Sequence, residues 1–152
     1  MIDRFEHFSL SIAEISRHWH KIAADELEKY GLKGSHAIYL TTLYGADPEG
    51  VTAAQLAELC GKNKADVSRM VAILEEKGLV QKVAVGKNMY RAKLTLTQEG
   101  KQAAEHVRGR AAVAVELAGN GLSDAEREAF YKALDLIAEN LRNLSKDGLP
   151  TK

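Results

Sequence analysis

Hydrophobic residues near the start of the chain recur every three or four positions, which is the spacing of one face of an α-helix. The repeating positions are Ile2, Phe5, Phe8, Ile12, Ile15, Trp19 and Ile22. Gly31 predicts the end of this long helix. A second helix is expected from about residue 35 to 43, with Ile38 and Leu43 facing inward. The sequence Asp-Pro-Glu-Gly at 47–50 then predicts a turn.

Two short helices are predicted after that turn. Thr52 and Gln55 have the spacing of a capping box, in which two side chains satisfy free backbone N–H groups at a helix start. Leu56 and Leu59 are expected to face the core from this helix. Gly61 predicts its end.

The next helix is predicted to begin at Asn63, because an Asn cap and an acid in the first turn, Asp66, both favour a helix start. Its apolar residues follow at i, i+3, i+4 and i+7, namely Val67, Met70, Val71 and Leu74. Gly78 predicts its end. Two short helices joined by a glycine-containing turn predict a helix-turn-helix.

The hydrophobic period changes from helical to alternating after Gly78. Val80, Val83 and Val85 precede a turn at 86–88, and Tyr90, Ala92, Leu94 and Leu96 alternate with polar residues. This alternation predicts a β-hairpin with one buried and one wet face. Its tip and wet face are expected to carry Lys82, Lys87, Arg91 and Lys93.

Two further helices are predicted at the end of the chain. Thr97 is expected to cap a helix over about 98–117, and Ser123 with Glu126 forms another capping box. The last helix carries an apolar seam with coiled-coil-like spacing. Its members are Phe130, Leu134, Ile137, Leu141 and Leu144. The fold class is therefore mainly α with a small β-hairpin, and a helix-turn-helix followed at once by a hairpin is a winged helix-turn-helix.

Composition and length narrow the class further. The chain has 152 residues, of which 45% are hydrophobic and 28% are charged. These values predict one globular domain over 1–152 rather than a disordered chain. The single cysteine, Cys60, excludes an internal disulfide framework and favours a reducing cytoplasm. The charged first twenty residues do not resemble a signal peptide, and no apolar run is long enough to predict a membrane span.

Charge is unevenly distributed although the formal net charge is zero. Residues 60–93 carry eight Lys or Arg and three Asp or Glu, whereas both flanking segments carry more acids than bases. A local basic surface attracts phosphates even on a neutral protein, because ions screen distant charges. The helix-turn-helix and the hairpin therefore predict duplex DNA as a partner. The alternative is an ordinary core helix beside a strand edge protected by lysines.

The central third of the sequence carries three specific motifs in order: LAEL at 56–59, VSRMVAILEEKGLV at 67–80 and LTQEG at 96–100. In this order and spacing they resemble the multiple-antibiotic-resistance-regulator (MarR) family of bacterial transcription factors, over about residues 35–105. The resemblance implies a winged helix-turn-helix over about 35–97, with long dimerisation helices at about 2–30 and 98–146. It also implies a homodimer that binds a pseudo-palindromic operator, most often as a repressor.

The resemblance places one helix, from residue 64 to 76, in the major groove of DNA, with the hairpin wing beside it. The residues expected to meet DNA are Asn63, Lys64, Ala65, Asp66, Ser68, Arg69, Lys82, Lys87, Asn88, Arg91 and Lys93. One departure concerns the wing, where the family carries an Asp-x-Arg triplet and this chain has Asn88, Met89 and Tyr90. Either Lys87 and Arg91 take over through a local register change, or the contacts made by the wing are weaker.

Relatives of this kind bind small effectors in a cleft between the dimer helices and the DNA-binding lobe. Flat side chains with a polar tip suit a small aromatic ligand. The candidates are Trp19, His20, His36, Tyr39 and Tyr44. Trp19 also belongs to the apolar stripe of the first helix, so a core role is the alternative.

Chemistry other than binding has little support in the sequence. Cys60 stands where an apolar core residue is expected, so a buried thiol is favoured over a redox sensor, although Lys62 and Lys64 are near. The histidines His7, His18, His20, His36 and His106 show no metal-binding spacing. No catalytic motif is present, and we expect neither a cofactor nor an enzyme. Two alternatives stay open: a winged-helix interaction module without operator binding, and a metal- or redox-sensing regulator.

Overall fold

The structure is a computed structural model that describes residues 2–151, with the side chains of residues 2 and 88–90 outside the description. Its helices are α1 (Ile2–Leu27), α2 (Ala37–Gly45), α3 (Ala53–Cys60), α4 (Lys64–Glu76), α5 (Gln98–Ala118) and α6 (Asp124–Asp147). Short 3-10 turns at Glu28–Tyr30 and Gly34–His36 connect α1 to α2. The strands are β1 (Val51–Thr52), β2 (Val80–Val85) and β3 (Asn88–Leu96).

The strands form an antiparallel sheet in the order β1-β3-β2. Val51 pairs with Leu94, and Val80 pairs with Leu96. The sequence predicts the hairpin of β2 and β3 but not β1, which is only two residues long. This short strand ties the start of α3 to the base of the hairpin.

The core lies where the helix-turn-helix meets the sheet and the end of α1. Its largest fully buried aliphatic side chains are Leu27, Leu40, Leu56, Val67, Leu74 and Leu94. Two sequence predictions are wrong here, since Leu59 is 60% exposed and Ile38 is 40% exposed. Leu59 lies three positions from Leu56 on the short helix α3, and the core accepts only the side of that helix that carries Leu56, Ala57 and Cys60.

A close backbone contact joins the end of α4 to the start of α5. Thr97 accepts the N–H of Gly100 through Oγ1 at 3.0 Å, as the predicted cap, and donates its hydroxyl to the carbonyl of Gly78 at 2.6 Å. The N–H of Thr97 donates to the carbonyl of Leu79 at 3.0 Å. A Cβ on Gly100 would lie 1.9 Å from that same oxygen. The glycine is therefore needed for the packing of α5 against the wing.

The chain divides into two compact units, residues 1–112 and residues 113–152. In the second unit, Ser123 caps α6 and receives a hydrogen bond from the N–H of Glu126 at 3.2 Å. None of the described residues of α6 is buried, and its predicted seam is exposed. The boundary of a single domain over 1–152 stays a prediction. Among the described residues, no helix is long and apolar enough to cross a membrane.

Candidate nucleic-acid interface

The turn between α3 and α4 is fixed by backbone geometry. Gly61 ends α3 in the left-handed region at φ 63°, which favours glycine. The N–H of Lys62 donates to the carbonyl of Ala57 at 2.9 Å, which closes the end of α3. Asn63 then caps α4, since its Oδ1 accepts the N–H of Asp66 at 2.8 Å. Sequence signals at both positions predicted this turn.

The rotation of α4 about its axis is fixed by its apolar stripe. Val67, Val71 and Leu74 are buried and Met70 packs at the edge of the core. The opposite side is therefore exposed to solvent. It carries Lys64, Ala65, Ser68, Arg69 and Ala72. Two basic side chains, a hydroxyl and two small residues on an outward helix face suit an approach to base edges and phosphates.

An ion pair on this outward face was not anticipated from the sequence. Arg69 Nη2 donates to Asp66 Oδ1 at 2.6 Å, with Arg69 69% and Asp66 34% exposed. The signal that would have predicted it is the i, i+3 spacing of opposite charges on a helix. Asp66 is thus held at its backbone by Asn63 and holds the guanidinium of Arg69 through its carboxylate.

The wing lies directly after α4, but its basic side chains do not share one face. Lys82 pairs with Leu94 across the strands, so both side chains point to the core side of the sheet. Lys82 Nζ lies 3.5 Å from Glu75 Oε1 of α4. Lys93 points to the other side and its Nζ lies 3.9 Å from Glu49 Oε2. Lys82 is exposed, as predicted, but the strand register places it on the opposite face of the sheet from Lys93, so the predicted shared face is wrong.

The outer part of the wing is irregular. Val83 pairs with Lys93 and Val85 pairs with Asn88, so β3 advances five residues while β2 advances two. The extra residues of β3 break the alternation of faces between its ends. The irregularity lies in the part of the wing where a local register change was considered from the sequence, and the takeover by Lys87 and Arg91 stays a prediction. Lys87 and Arg91 are exposed, whereas the side chain of Asn88 lies outside the described residues.

A cleft of about 410 Å³ lies in the first unit, between α1, the start of α2 and the first half of α5. Trp19 and His20 line it, together with Ile38 and Arg110. Lys62, from the turn of the helix-turn-helix, also reaches it. The cleft therefore connects the long N-terminal helix to the segment that positions α4.

The other three predicted lining residues lie elsewhere, which corrects the predicted lining. Tyr39 is 2% exposed in the core, and burial raises its pKa. His36 is 3% exposed, and its Nδ1 accepts the N–H of Lys33 at 2.9 Å. Tyr44 faces a different groove and donates its hydroxyl to Glu105 at 3.1 Å. The sequence could not separate these because all are flat and amphipathic.

Glu26 is the acidic group of the cleft and carries a small ionic cluster. Arg110 Nε donates to Glu26 Oε1 at 2.8 Å, and His106 Nε2 lies 2.9 Å from Glu26 Oε2. The hydrogen bond from Arg110 is the largest cause that lowers the pKa of Glu26 below its ordinary value. This cluster joins α1 to α5 across one wall of the cleft. The sequence did not predict it, because Glu26 is 80 residues from His106 and 84 residues from Arg110.

The redox and metal alternatives gain no geometric support. Cys60 is 6% exposed, and burial raises the pKa of its thiol, whereas reactive cysteines are exposed and have a lowered pKa. Among the side chains that the structure describes, no group of three or more His, Cys, Asp and Glu could hold a metal ion.

The fold and the outward face of α4 define a winged helix-turn-helix protein, which confirms the predicted fold class. A family model described as the MarR family matches residues 30–88. Over these residues the chain is similar to the MarR family.

Individual proteins are also similar to this chain over most of its length. The chain is 25% identical over 130 residues to the uncharacterized HTH-type transcriptional regulator YybA of Bacillus subtilis, covering 86% of this chain and 85% of that protein. It is similar in structure to MepR of S. aureus in a complex with DNA, with a TM-score of 0.80, 21% identity and coverage of 88% and 97%. A MarR family regulator of Listeria monocytogenes complexed with 26mer DNA gives a TM-score of 0.78, 23% identity and coverage of 93% and 95%.

Proposed function

We propose that this chain is a homodimeric transcriptional regulator that binds a specific duplex DNA sequence and responds to a small ligand. The observation that carries the proposal is the outward face of α4. Its opposite side is locked into the core by Val67, Val71 and Leu74, so Lys64, Ser68 and Arg69 are presented on a rigid element. A helix presented in this way fits the major groove of B-form DNA.

The surroundings of α4 support a phosphate-binding role. Residues 60–93 hold the basic excess of the sequence, and they form the end of α3, α4, β2 and most of β3. Lys87 and Arg91 extend this basic surface onto the wing. Contacts of this kind supply affinity without sequence preference, whereas α4 supplies the preference.

A homodimer is supported by apolar side chains that have no cover within their own unit. In α1, Phe5 is 72% and Ile15 is 61% exposed, and in α6 Phe130 and Leu141 are both 49% exposed. Solvent-exposed stripes of this length are unfavourable for a monomer. A second copy of the chain would bury them and would present a second α4 for the other half of a palindromic site.

Ligand response is supported by the cleft beside Trp19 and His20. A small aromatic molecule suits its apolar walls and the indole and imidazole rings. A ligand changes DNA affinity only as far as it prefers one arrangement of the DNA-binding unit over another. Since Lys62 lies both in the cleft and in the turn before α4, occupancy of the cleft would act on that turn.

The proposal is tested by titrating labelled duplexes with the full chain at several salt concentrations. Six or more phosphate contacts per dimer would reduce affinity about 10³-fold or more between about 50 and 200 mM salt. Lys64→Ala should lower the salt slope by about one per protomer. Lys132→Ala, on the exposed surface of α6, is the matched control and should leave the slope unchanged.

The opposite result would favour a different function. Weak binding with a flat salt response, equal for wild type and Lys64→Ala, would contradict operator binding. It would support the interaction module instead, in which Lys82 and Lys93 would keep their contacts with Glu75 and Glu49.

A further inference from the structure

We infer that Arg69 reads a guanine in each half-site and that Asp66 is the residue that positions it. This inference rests on the proposed function and adds to it the identity of one base. The observation behind it is the 2.6 Å hydrogen bond from Arg69 Nη2 to Asp66 Oδ1 on the outward face of α4.

The ion pair of Asp66 and Arg69 is connected to the residue that caps the start of α4. Asn63 Oδ1 holds the N–H of Asp66 at 2.8 Å, and Asp66 in turn holds the guanidinium of Arg69. A free arginine samples many rotamers, whereas one held by a carboxylate loses less freedom on binding. Because Arg69 is 69% exposed, its remaining N–H groups are open to solvent and can meet another partner.

The stripe around Arg69 allows close approach to DNA. Ala65 and Ala72 lie one turn before and about one turn after Arg69, and both are exposed. Small side chains at these two positions let the helix backbone sit deep in the groove. Arg69 is then the long side chain of that stripe and reaches the base edges first.

The charge of Asp66 decides which partner Arg69 takes. A carboxylate beside the guanidinium repels phosphate groups, so the pair is disfavoured at the DNA backbone. The base edges in the major groove are uncharged, and guanine presents two adjacent acceptors, N7 and O6, that match two parallel N–H groups. Adenine replaces one acceptor by a donor, and thymine and cytosine offer no such pair.

A purely structural role for Asp66 is the competing explanation, since an acid in the first turn stabilises a helix. The two roles differ in what they change. Loss of helix stability would weaken binding to every sequence alike. Loss of positioning would reduce the preference for guanine at one position per half-site and would leave binding to random duplex unchanged or stronger, because a negative charge near DNA is removed.

The test selects bound sequences from a pool of random duplexes with the full-length wild-type chain, and then measures affinities for single-base variants of the selected site. We expect a guanine whose replacement weakens wild-type binding by about 5- to 150-fold. Arg69→Ala and Arg69→Lys should both abolish that preference, because lysine cannot form the paired contact. Asp66→Ala should reduce it about tenfold, and Asp66→Asn, which keeps an acceptor oxygen, should reduce it less.

Glu76→Ala is the matched control, since it also removes an exposed acid from α4. It should raise affinity for all duplexes and leave the preference for guanine intact. A guanine preference that survives Asp66→Ala, or an equal loss of affinity for every duplex in Arg69→Ala, would overturn the inference while leaving the proposed function standing. A wild-type chain that binds no duplex would overturn both.

Discussion

Replacing Gly100 by alanine separates local helix propensity from tertiary packing, because the two predict opposite signs. Alanine is favoured over glycine inside a helix by about 1 kcal/mol. On propensity alone, Gly100→Ala should therefore stabilise α5. In the structure, however, the added Cβ would lie 1.9 Å from the carbonyl oxygen and 2.9 Å from the carbonyl carbon of Leu79.

The loss of stability in Gly100→Ala depends on which atoms must move to make room for the added Cβ. Both contacts are with backbone, so no flexible side chain can rotate away. Overpacking of this kind costs about 1–3 kcal/mol. Displacing the Leu79 oxygen also strains its 3.0 Å hydrogen bond from Thr97, worth about 1 kcal/mol. After the gain in propensity, a net loss of about 1–3 kcal/mol in the free energy of unfolding is expected.

Urea unfolding followed by circular dichroism, at one fixed protein concentration, measures this loss. Gly109→Ala is the control in the same helix, since a Cβ there meets no atom within 4 Å. That variant should gain up to about 1 kcal/mol. A Gly100→Ala variant as stable as wild type, or stabilised like the control, would refute the packing of α5 against the wing.

Three further predictions concern a buried imidazole, the seam of α6 and the thiol. Burial lowers the pKa of the His36 imidazole below its ordinary 6.5, so the imidazole takes up a proton at a higher pH in the unfolded chain than in the folded chain. The contribution of His36 to the free energy of unfolding is therefore present above pH 6.5 and should fall as the pH drops below that value. The His36→Asn variant keeps an acceptor for the N–H of Lys33, and its free energy of unfolding should fall less below pH 6.5 than that of the wild type. An equal fall in both proteins would show that other groups cause it. If the proposed homodimer forms through α6, Ile137→Glu should give a monomer in light scattering where the wild type gives a dimer, and a variant that stays dimeric would exclude the α6 seam from the interface. Cys60 should react with a thiol reagent slowly when native and quickly in urea, and fast native labelling would contradict its burial.

Local signals were sufficient for most of the fold. Capping residues at Thr52, Asn63 and Ser123 mark real helix starts, and each accepts the backbone hydrogen bond that its residue type predicts. Such contacts span three residues, so the sequence contains all of the information. The face of a short helix is different. Leu56 and Leu59 look equivalent in sequence, and only the neighbouring elements decide that one is buried and the other exposed.

The candidate site divides in the same way. The outward face of α4 could be derived from its apolar stripe, because burial of one side of a helix fixes the other. The face of Lys82 could not, since it depends on the strand register that pairs Lys82 with the buried Leu94. Contacts between distant segments, such as Glu26 with Arg110, leave no periodic signal in the sequence.

The placement of α4 in the major groove is tested most directly by mapping where a tethered reagent cleaves DNA. An Fe-chelate is attached to the cysteine of Ser68→Cys, on the exposed face of α4, and the labelled chain is bound to a selected duplex. Two α4 helices in successive major grooves should confine cleavage to two positions, separated by about one helical turn, or ~10 base pairs. Cleavage at a single position, or spread evenly along the duplex, would contradict a pair of α4 helices reading DNA.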